Sequence, residues 1–138
     1  MTRILVVDDA ATVRMYHRKI LGDAGWRTDE ASNGVEALER VHGLEAGSAF
    51  DLYVVDINMP RMDGYSFVRE LRKLEGHHQA AVVMVSTEAH ARDASGALDA
   101  GANCYLVKPA SARDLVLTAA LLLGDRAAAL EAAKGAKA

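Results

Sequence analysis

The residues of this 138-residue chain that could do chemistry follow directly on short apolar runs. They are three carboxylates, two hydroxyls, an amide and an amine: Asp8, Asp9, Asp56, Asn58, Ser86, Thr87 and Lys108. If the runs are parallel strands, their carboxyl ends share one edge of a sheet, where ligands bind in such folds. A carboxylate there, with a lysine to neutralise charge and a hydroxyl to donate a hydrogen bond, is a workable nucleophile for phosphoryl transfer. The product would be an aspartyl phosphate.

The three carboxylates also predict a metal site. Carboxylates held together repel one another and favour partial protonation unless a cation lies between them. A site with few ligands, all of them oxygen, suits Mg²⁺, which keeps several waters and completes its shell with phosphate oxygens. We therefore expect Mg²⁺ near Asp8, Asp9 and Asp56.

Five segments have the composition of β-strands. Four are nearly continuous in apolar residues, which is typical of parallel strands covered on both faces. These four are residues 4–7, 52–55, 81–85 and 105–107. The fifth, residues 26–31, alternates in polarity, as expected for a strand nearer an edge.

Five further segments repeat apolar residues at intervals of three and four, which indicates helices. The fourth of them, at about residues 88–100, is the weakest because it is poorly apolar and carries Gly96, which costs up to about 1 kcal/mol of helix propensity. Strict alternation of strand and helix predicts an α/β fold with a parallel sheet and helices on both faces. We expect residues 1–124 to form one domain and the alanine-rich residues 125–138 to be a tail or an extension of the last helix.

The composition narrows the function classes. With 51% hydrophobic and 25% charged residues, the chain suits one soluble domain, which we expect in the cytoplasm. Its single cysteine, Cys104, excludes an intrachain disulfide and leaves a zinc site unsupported. A net charge of -3 with scattered basic residues disfavours direct nucleic-acid binding, and no run approaches the ~18 apolar residues of a membrane span. The five histidines, including His17, are expected to be solvated.

Together these residues resemble the receiver domain of response regulators in two-component signalling, over residues 3 to about 123. The resemblance implies a flavodoxin-like (βα)5 fold with five parallel strands in the order 2-1-3-4-5. It is carried by the acid pair Asp8-Asp9, by the run from Asp56 to Gly64, and by Lys108-Pro109, where it implies a cis peptide bond.

The resemblance also implies roles for the residues of the site. Asp56 would accept the phosphoryl group in a Mg²⁺-dependent reaction that the domain itself catalyses. Asp9 and Asp56 would ligate Mg²⁺ together with the carbonyl oxygen of Asn58, while Asp8 acts through water and orientation. Lys108 would contact the phosphoryl group.

A hydroxyl and an aromatic residue would transmit the phosphorylation signal. Alignment with the family's fourth strand puts Ser86 at the switch position, with Thr87 as the alternative, and Tyr105 at the aromatic switch position. A threonine directly after the switch hydroxyl narrows the approach of small phosphodonors. Asn58 and Glu88 flank the site and are candidates for tuning the lifetime of the phosphate.

Within the family, the chain resembles the stand-alone chemotaxis-type regulators, which lack an output domain. They signal by binding a protein through the face formed by the fourth helix, fifth strand and fifth helix. The implied partners are a sensor histidine kinase and a downstream protein, either a motor switch component or a kinase. We expect a monomer, and dimerisation on phosphorylation stays open.

Two other readings compete with this one. A receiver used only as a protein-interaction scaffold would not need the whole set of site residues. A phosphatase of the haloacid-dehalogenase type needs an acid two residues after its nucleophile, where this chain has Asn58. A dinucleotide-binding domain is excluded because no glycine-rich turn follows the first strand.

Overall fold

A computed structural model describes residues 1–45, 48–77, 79–87 and 91–135. The strands are β1 (Arg3–Val7), β2 (Arg27–Ala31), β3 (Leu52–Asp56), β4 (Ala81–Ser86) and β5 (Cys104–Val107). The helices are α1 (Ala11–Asp23), α2 (Gly34–His42), α3 (Gly64–Lys73), α4 (Ala91–Ala100), α5 (Ala112–Leu123) and α6 (Arg126–Gly135). None of the helices in the described part of the chain is long and apolar enough to cross a membrane. All five predicted strands are present.

The five strands form one parallel sheet in the order β2-β1-β3-β4-β5. This is the flavodoxin-like order that the resemblance implies, and it is confirmed. The alternating strand β2 lies at an edge, as its sequence predicts. Because all strands run the same way, their carboxyl ends meet at one edge of the sheet.

Two apolar layers cover the sheet. Tyr53, Phe67 and Met84 are fully buried in the layer beneath α2, α3 and α4. Leu21 and Leu115 are fully buried in the layer beneath α1 and α5. The two layers hold the sheet rigid, and the loops at its carboxyl edge therefore start from fixed positions.

Three helices begin at that edge with a side chain that caps the first turn. Asn33 accepts a hydrogen bond from Glu36 N at 2.9 Å, and Asp63 accepts one from Ser66 N at 2.8 Å. Ser111 does the same for α5. A cap of this kind typically contributes about 1 kcal/mol and fixes where the helix starts.

The C-terminal segment differs from the tail or helix extension that its composition predicts. The last helix of the sheet layer, α5, ends at Gly124, whose φ of 72° lies in the left-handed region, and α6 then begins as a separate helix. Asp125 accepts hydrogen bonds from Ala128 N and from the indole nitrogen of Trp26, both at 3.0 Å. The small side chains of Ala128 and Ala129 pack against the layer beneath α1 and α5.

His17 also departs from expectation. Its side chain is 3% exposed on the inner face of α1, so the prediction that it is solvated was wrong. The reason is its spacing, since it stands four residues after Val13 and three before Ile20, on the stripe that faces the sheet. Burial lowers the pKa of His17, the charge of Asp8 opposes that shift, and Lys108 adds to it.

Candidate functional site

The strand register brings the predicted site residues to the carboxyl edge of the sheet. Asp56, the last residue of β3, is paired with Val85 of β4. The next residue, Ser86, is paired with Val107 of β5, and its carbonyl oxygen accepts a hydrogen bond from Lys108 N at 2.7 Å. Parallel pairing therefore sets the Asp56 carboxylate, the Ser86 hydroxyl and Lys108 at the ends of adjacent strands.

Three carboxylates form a compact cluster at this edge. Oxygen atoms of Asp8, Asp9 and Asp56 all lie within 4.8 Å of one another. Asp8 and Asp56 are 2% and 7% exposed, whereas Asp9 is open to solvent. An all-oxygen set that is buried on one side and open on the other fits a hard divalent cation that keeps part of its water. The cluster could hold a metal ion.

Asp8 has hydrogen-bond partners on both carboxylate oxygens. Its Oδ1 accepts from Ala10 N at 2.9 Å, and its Oδ2 accepts from Lys108 Nζ at 2.6 Å. A carboxylate engaged in this way has little free coordination capacity. Asp9 and Asp56 are therefore the better placed for direct contact with a cation.

Lys108 bridges the two buried carboxylates, because its Nζ also donates to Asp56 Oδ1 at 3.1 Å. Burial, and after it the charge of Asp8, raise the pKa of Asp56 to about 6, and Lys108 acts against both. Burial alone would lower the pKa of Lys108, but its hydrogen bond to Asp8 and the charge of Asp56 outweigh that effect and raise it. The pair thus keeps a cationic amine beside a carboxylate that burial makes easier to protonate.

Gly64, the first residue of α3, lets that helix begin directly against the backbone of Asp56. A Cβ atom on Gly64 would lie 2.3 Å from the carbonyl oxygen of Asp56 and 2.7 Å from Cε of Met84. In addition, Gly64 N donates to the carbonyl oxygen of Ile57 at 2.8 Å. Only glycine allows α3 to come this close to the backbone of Asp56. The sequence alone did not predict this role for Gly64.

The comparisons with known proteins decide the family. Residues 4–120 match the family described as the response regulator receiver domain. The chain belongs to this receiver-domain family. The family is a signalling family whose members are generally not classical enzymes. Helix α6 lies beyond the matched residues.

Several relatives of this receiver domain are chemotaxis proteins. Chemotaxis protein CheY of Pseudomonas aeruginosa is 39% identical over 114 residues, which are 82% of this chain and 89% of that protein. Transcriptional regulatory protein ResD of Bacillus subtilis is 36% identical over 122 residues, which are 88% of this chain. The chain spans only 48% of ResD and 13% of the gliding motility regulatory protein of Myxococcus xanthus.

Solved structures agree with the fold. The chemotaxis response regulator CheY4 of Vibrio cholerae is 31% identical and superposes with a TM-score of 0.81 over 89% of this chain and 99% of that one. A CheY-like receiver domain protein from Methanospirillum hungatei is 28% identical, with a TM-score of 0.79 over 91% of this chain and 95% of that one.

In this receiver domain the two candidate switch hydroxyls have different surroundings. Ser86 is fully buried, whereas Thr87 is exposed. Strand alternation puts Ser86 on the same face of the sheet as Met84, toward α3 and α4. Tyr105 is paired with Met84, is half-buried, and packs against that same layer. Ser86 and Tyr105 therefore share the face of the sheet that α4 covers.

The remaining predicted residues lie around the rim of the site. Asn58 is exposed on the loop that follows β3, and the Lys108-Pro109 peptide bond is cis. Glu88 lies outside the described residues. The sequence reasoning gave no role to Arg14, yet its guanidinium donates to the carbonyl oxygen of Asp8 at 2.7 Å.

Proposed function

We propose that Asp56 accepts a phosphoryl group in a Mg²⁺-dependent reaction and that the phosphorylated domain signals by binding a protein partner. The observation that carries the proposal is the bridge from Lys108 to Asp8 and Asp56 within a cluster of three carboxylates. Phosphoryl transfer needs a positioned nucleophile and fixed positive charge around the transferred group. The site has a carboxylate nucleophile, an amine and oxygen ligands for a cation.

The phosphodonor in this proposal is a phosphohistidine of a sensor histidine kinase. A carboxylate oxygen of Asp56 attacks phosphorus, and a P–O bond forms as the P–N bond breaks. The electron pair of the broken bond leaves with the imidazole nitrogen, which takes up a proton. Lys108, already 3.1 Å from Asp56, turns its ammonium to the arriving phosphoryl oxygens.

The metal would be held by Asp9, Asp56 and the carbonyl oxygen of Asn58, with Asp8 acting through water and orientation. Mg²⁺ supplies positive charge that offsets the negative charge of the three carboxylates and of the phosphoryl oxygens. The same site reverses the modification by hydrolysis, in which water attacks phosphorus and inorganic phosphate leaves Asp56. Asn58 and Glu88 are the positions proposed to set the rate of that step.

We further propose that Ser86 and Tyr105 carry the signal away from Asp56. The phosphoryl oxygens attract the Ser86 hydroxyl, and Tyr105 moves into the space that it leaves. This shift biases the face made by α4, β5 and α5. Each of these three elements carries an exposed apolar residue: Leu98, Val107 and Leu121. A partner protein, either a motor switch component or another kinase, binds there in the cytoplasm.

The test is the intact mass of the protein after incubation with acetyl phosphate and Mg²⁺. The wild type and Asp99→Asn, which alters an exposed carboxylate on α4, are expected to gain one phosphoryl group. Asp56→Asn and the wild type in EDTA are expected to gain none. The Asp99 variant controls for the loss of one carboxylate outside the site.

Thr87 is exposed and directly follows Ser86, so the same experiment is done with Thr87→Ala. This variant tests whether the threonine side chain keeps acetyl phosphate from reaching Asp56. An adduct that persists in Asp56→Asn would show that another residue is the acceptor. No adduct on either the wild type or Thr87→Ala would contradict the phosphorylation proposal and favour the scaffold reading.

A further inference from the structure

We propose that Arg14 is a positioning residue for the metal site, acting through the backbone of the acid pair. The inference rests on the proposed Mg²⁺-dependent function. Arg14 lies on the first turns of α1, and its hydrogen bonds are to Glu30 and to the backbone of Asp8. Its effect would be to hold the loop between β1 and α1 in the geometry that the cation needs.

The contact that carries the inference joins a charged donor to a backbone acceptor. Arg14 Nη1 donates to the carbonyl oxygen of Asp8 at 2.7 Å, and the Arg14 side chain is 16% exposed. Hydrogen bonds from a charged donor are stronger than neutral ones, and burial strengthens them further. This bond therefore restrains the peptide unit that joins Asp8 to Asp9.

Arg14 is itself fixed by β2. Its Nε donates to Glu30 Oε1 at 2.7 Å, so the guanidinium spans from the edge strand to the acid pair. Glu30 also accepts from Arg18, which in turn donates to Thr28 Oγ1 at 3.1 Å. The hydrogen bond from Arg14 is the largest cause that lowers the pKa of Glu30, so this glutamate stays ionised and holds Arg14 at neutral pH.

The acid pair needs such a restraint because Asp9 lacks one of its own. Within the described ranges, the Asp9 carboxylate has no hydrogen-bond or ion-pair partner, and its side chain is exposed. The next residue, Ala10, is the N-cap of α1 and provides no side-chain cap. The direction of the Asp9 side chain therefore depends on the preceding peptide plane, which Arg14 holds through the Asp8 carbonyl. Removing a residue that orients a metal ligand typically lowers metal affinity roughly 10- to 100-fold.

The test measures Mg²⁺ binding to the unphosphorylated protein by isothermal titration calorimetry, so it needs no phosphodonor. Arg14→Met is expected to weaken Mg²⁺ affinity about tenfold or more, and Arg14→Lys, which keeps a donor, to weaken it less. The matched control is Arg18→Met, which removes an arginine from the same glutamate but no contact to Asp8. We expect it to change affinity by less than about threefold. Urea unfolding of each variant checks that the domain is folded.

The outcomes separate this inference from the proposed function. If the wild type binds no Mg²⁺, or if Asp9→Asn binds it equally well, the metal site itself is wrong. If the wild type binds Mg²⁺ but Arg14→Met binds within about twofold of it, the site stands and the role of Arg14 is overturned. Equal weakening in Arg14→Met and Arg18→Met would also overturn it, because the effect would then come from general loosening of α1 against β2.

Discussion

The ammonium nitrogen of Lys108 lies 2.6 Å from Oδ2 of Asp8, closer than the 3.1 Å that separates it from Oδ1 of Asp56. The shortest contact of the lysine is therefore with Asp8 and not with Asp56. In the proposed function, Asp8 would keep the ammonium in the site while the longer contact with Asp56 is exchanged for a phosphoryl oxygen. The positive charge of Lys108 would then be in place before the phosphoryl group arrives.

Lys108→Met is expected to destabilise the metal-free protein and to increase its stabilisation by Mg²⁺. Removing one partner of a buried ion pair leaves uncompensated charge and typically costs about 3–5 kcal/mol. A divalent cation would supply the missing charge. Thermal unfolding in EDTA and in Mg²⁺ measures both effects, and phosphorylation of Asp56 should be slower in the variant.

The matched control is Lys73→Met, because Lys73 pairs with Glu70 on the exposed surface of α3. Exposed pairs contribute only about 0–1 kcal/mol, so this variant should respond to Mg²⁺ as the wild type does. Equal Mg²⁺ responses in the two variants would show that Lys108 does not neutralise the carboxylate cluster.

Asp56 should make the metal-free protein less stable as the pH rises. Burial, followed by the charge of Asp8, raises the pKa of Asp56 from its usual 3.8 to about 6. The folded protein thus holds this proton more tightly than the unfolded chain does. The stability that protonation of Asp56 contributes is complete below the pKa of about 4 that the carboxyl has in the unfolded chain. It is lost as the pH rises through the folded-state pKa of about 6.

Asp56→Asn removes that titration and is expected to raise the free energy of unfolding near neutral pH. The gain over the wild type should shrink as the pH falls toward about 4. Urea unfolding in EDTA across this range measures the difference. A gain that does not vary with pH would mean that the Asp56 carboxyl has its usual pKa in the folded protein.

The strands and the position of the acid cluster could be predicted from the residues for a physical reason, whereas the strand order was implied only by the family resemblance. Parallel strands covered on both faces need continuous apolar runs, and the polar residues that follow each run must share an edge. The ends of the predicted strands differ by one residue from those observed, as at Arg3 and Ser86. The apolar spacing of α1 also encodes the burial of His17, because at this position the spacing decides burial and the residue type does not.

Other features of the molecule depend on contacts between distant segments, and local patterns do not encode them. The hydrogen bond between Trp26 and Asp125 joins residues 99 positions apart. Arg14 meets Glu30 across two elements, and Gly64 is required only because the backbone of Asp56 passes beside it. These relationships appear only once the chain is folded.

Gly64→Ala is expected to cost about 3 kcal/mol of stability and to slow phosphorylation, because the new Cβ meets the backbone of Asp56. A backbone carbonyl cannot turn away as a flexible side chain can, so α3 or the acceptor must shift. The control is Gly22→Ala near the end of α1, where no atom lies within 4 Å of the added Cβ. That change should stabilise by about 0.5–1 kcal/mol. Urea unfolding and the rate of adduct formation measure both variants, and a Gly64→Ala protein as stable as the wild type would refute the close approach.

Thr87→Ala is expected to speed phosphorylation by acetyl phosphate several-fold. The rate of phosphorylation by a large protein donor should increase less. Thr87 is exposed directly after the buried Ser86, and we expect its side chain to narrow the approach of small donors to Asp56. The rate of adduct formation by mass measures this effect. Ser86→Ala serves as the contrast, since it removes the hydroxyl proposed to bind the phosphoryl group and should not speed the reaction.

Asp125→Ala is expected to detach α6 while leaving the phosphoryl site intact. Asp125 both caps α6 through Ala128 N and accepts from the indole of Trp26, so one substitution removes two contacts that hold the helix. The same hydrogen bonds, first from the Ala128 backbone and then from Trp26, lower the pKa of Asp125. The stability that these hydrogen bonds provide is therefore present above the pKa of Asp125 in the unfolded chain. It is lost as the pH falls through the pKa of Asp125 in the folded protein.

Because Trp26 is the single tryptophan, its fluorescence reports the detachment of α6 directly. We expect Asp125→Ala to shift the tryptophan emission to the red and to lower the midpoint of thermal unfolding, while adduct formation at Asp56 is unchanged. The control, Asp114→Ala at the start of α5, should leave the tryptophan emission unchanged. An unchanged spectrum in Asp125→Ala would mean that α6 does not depend on this contact.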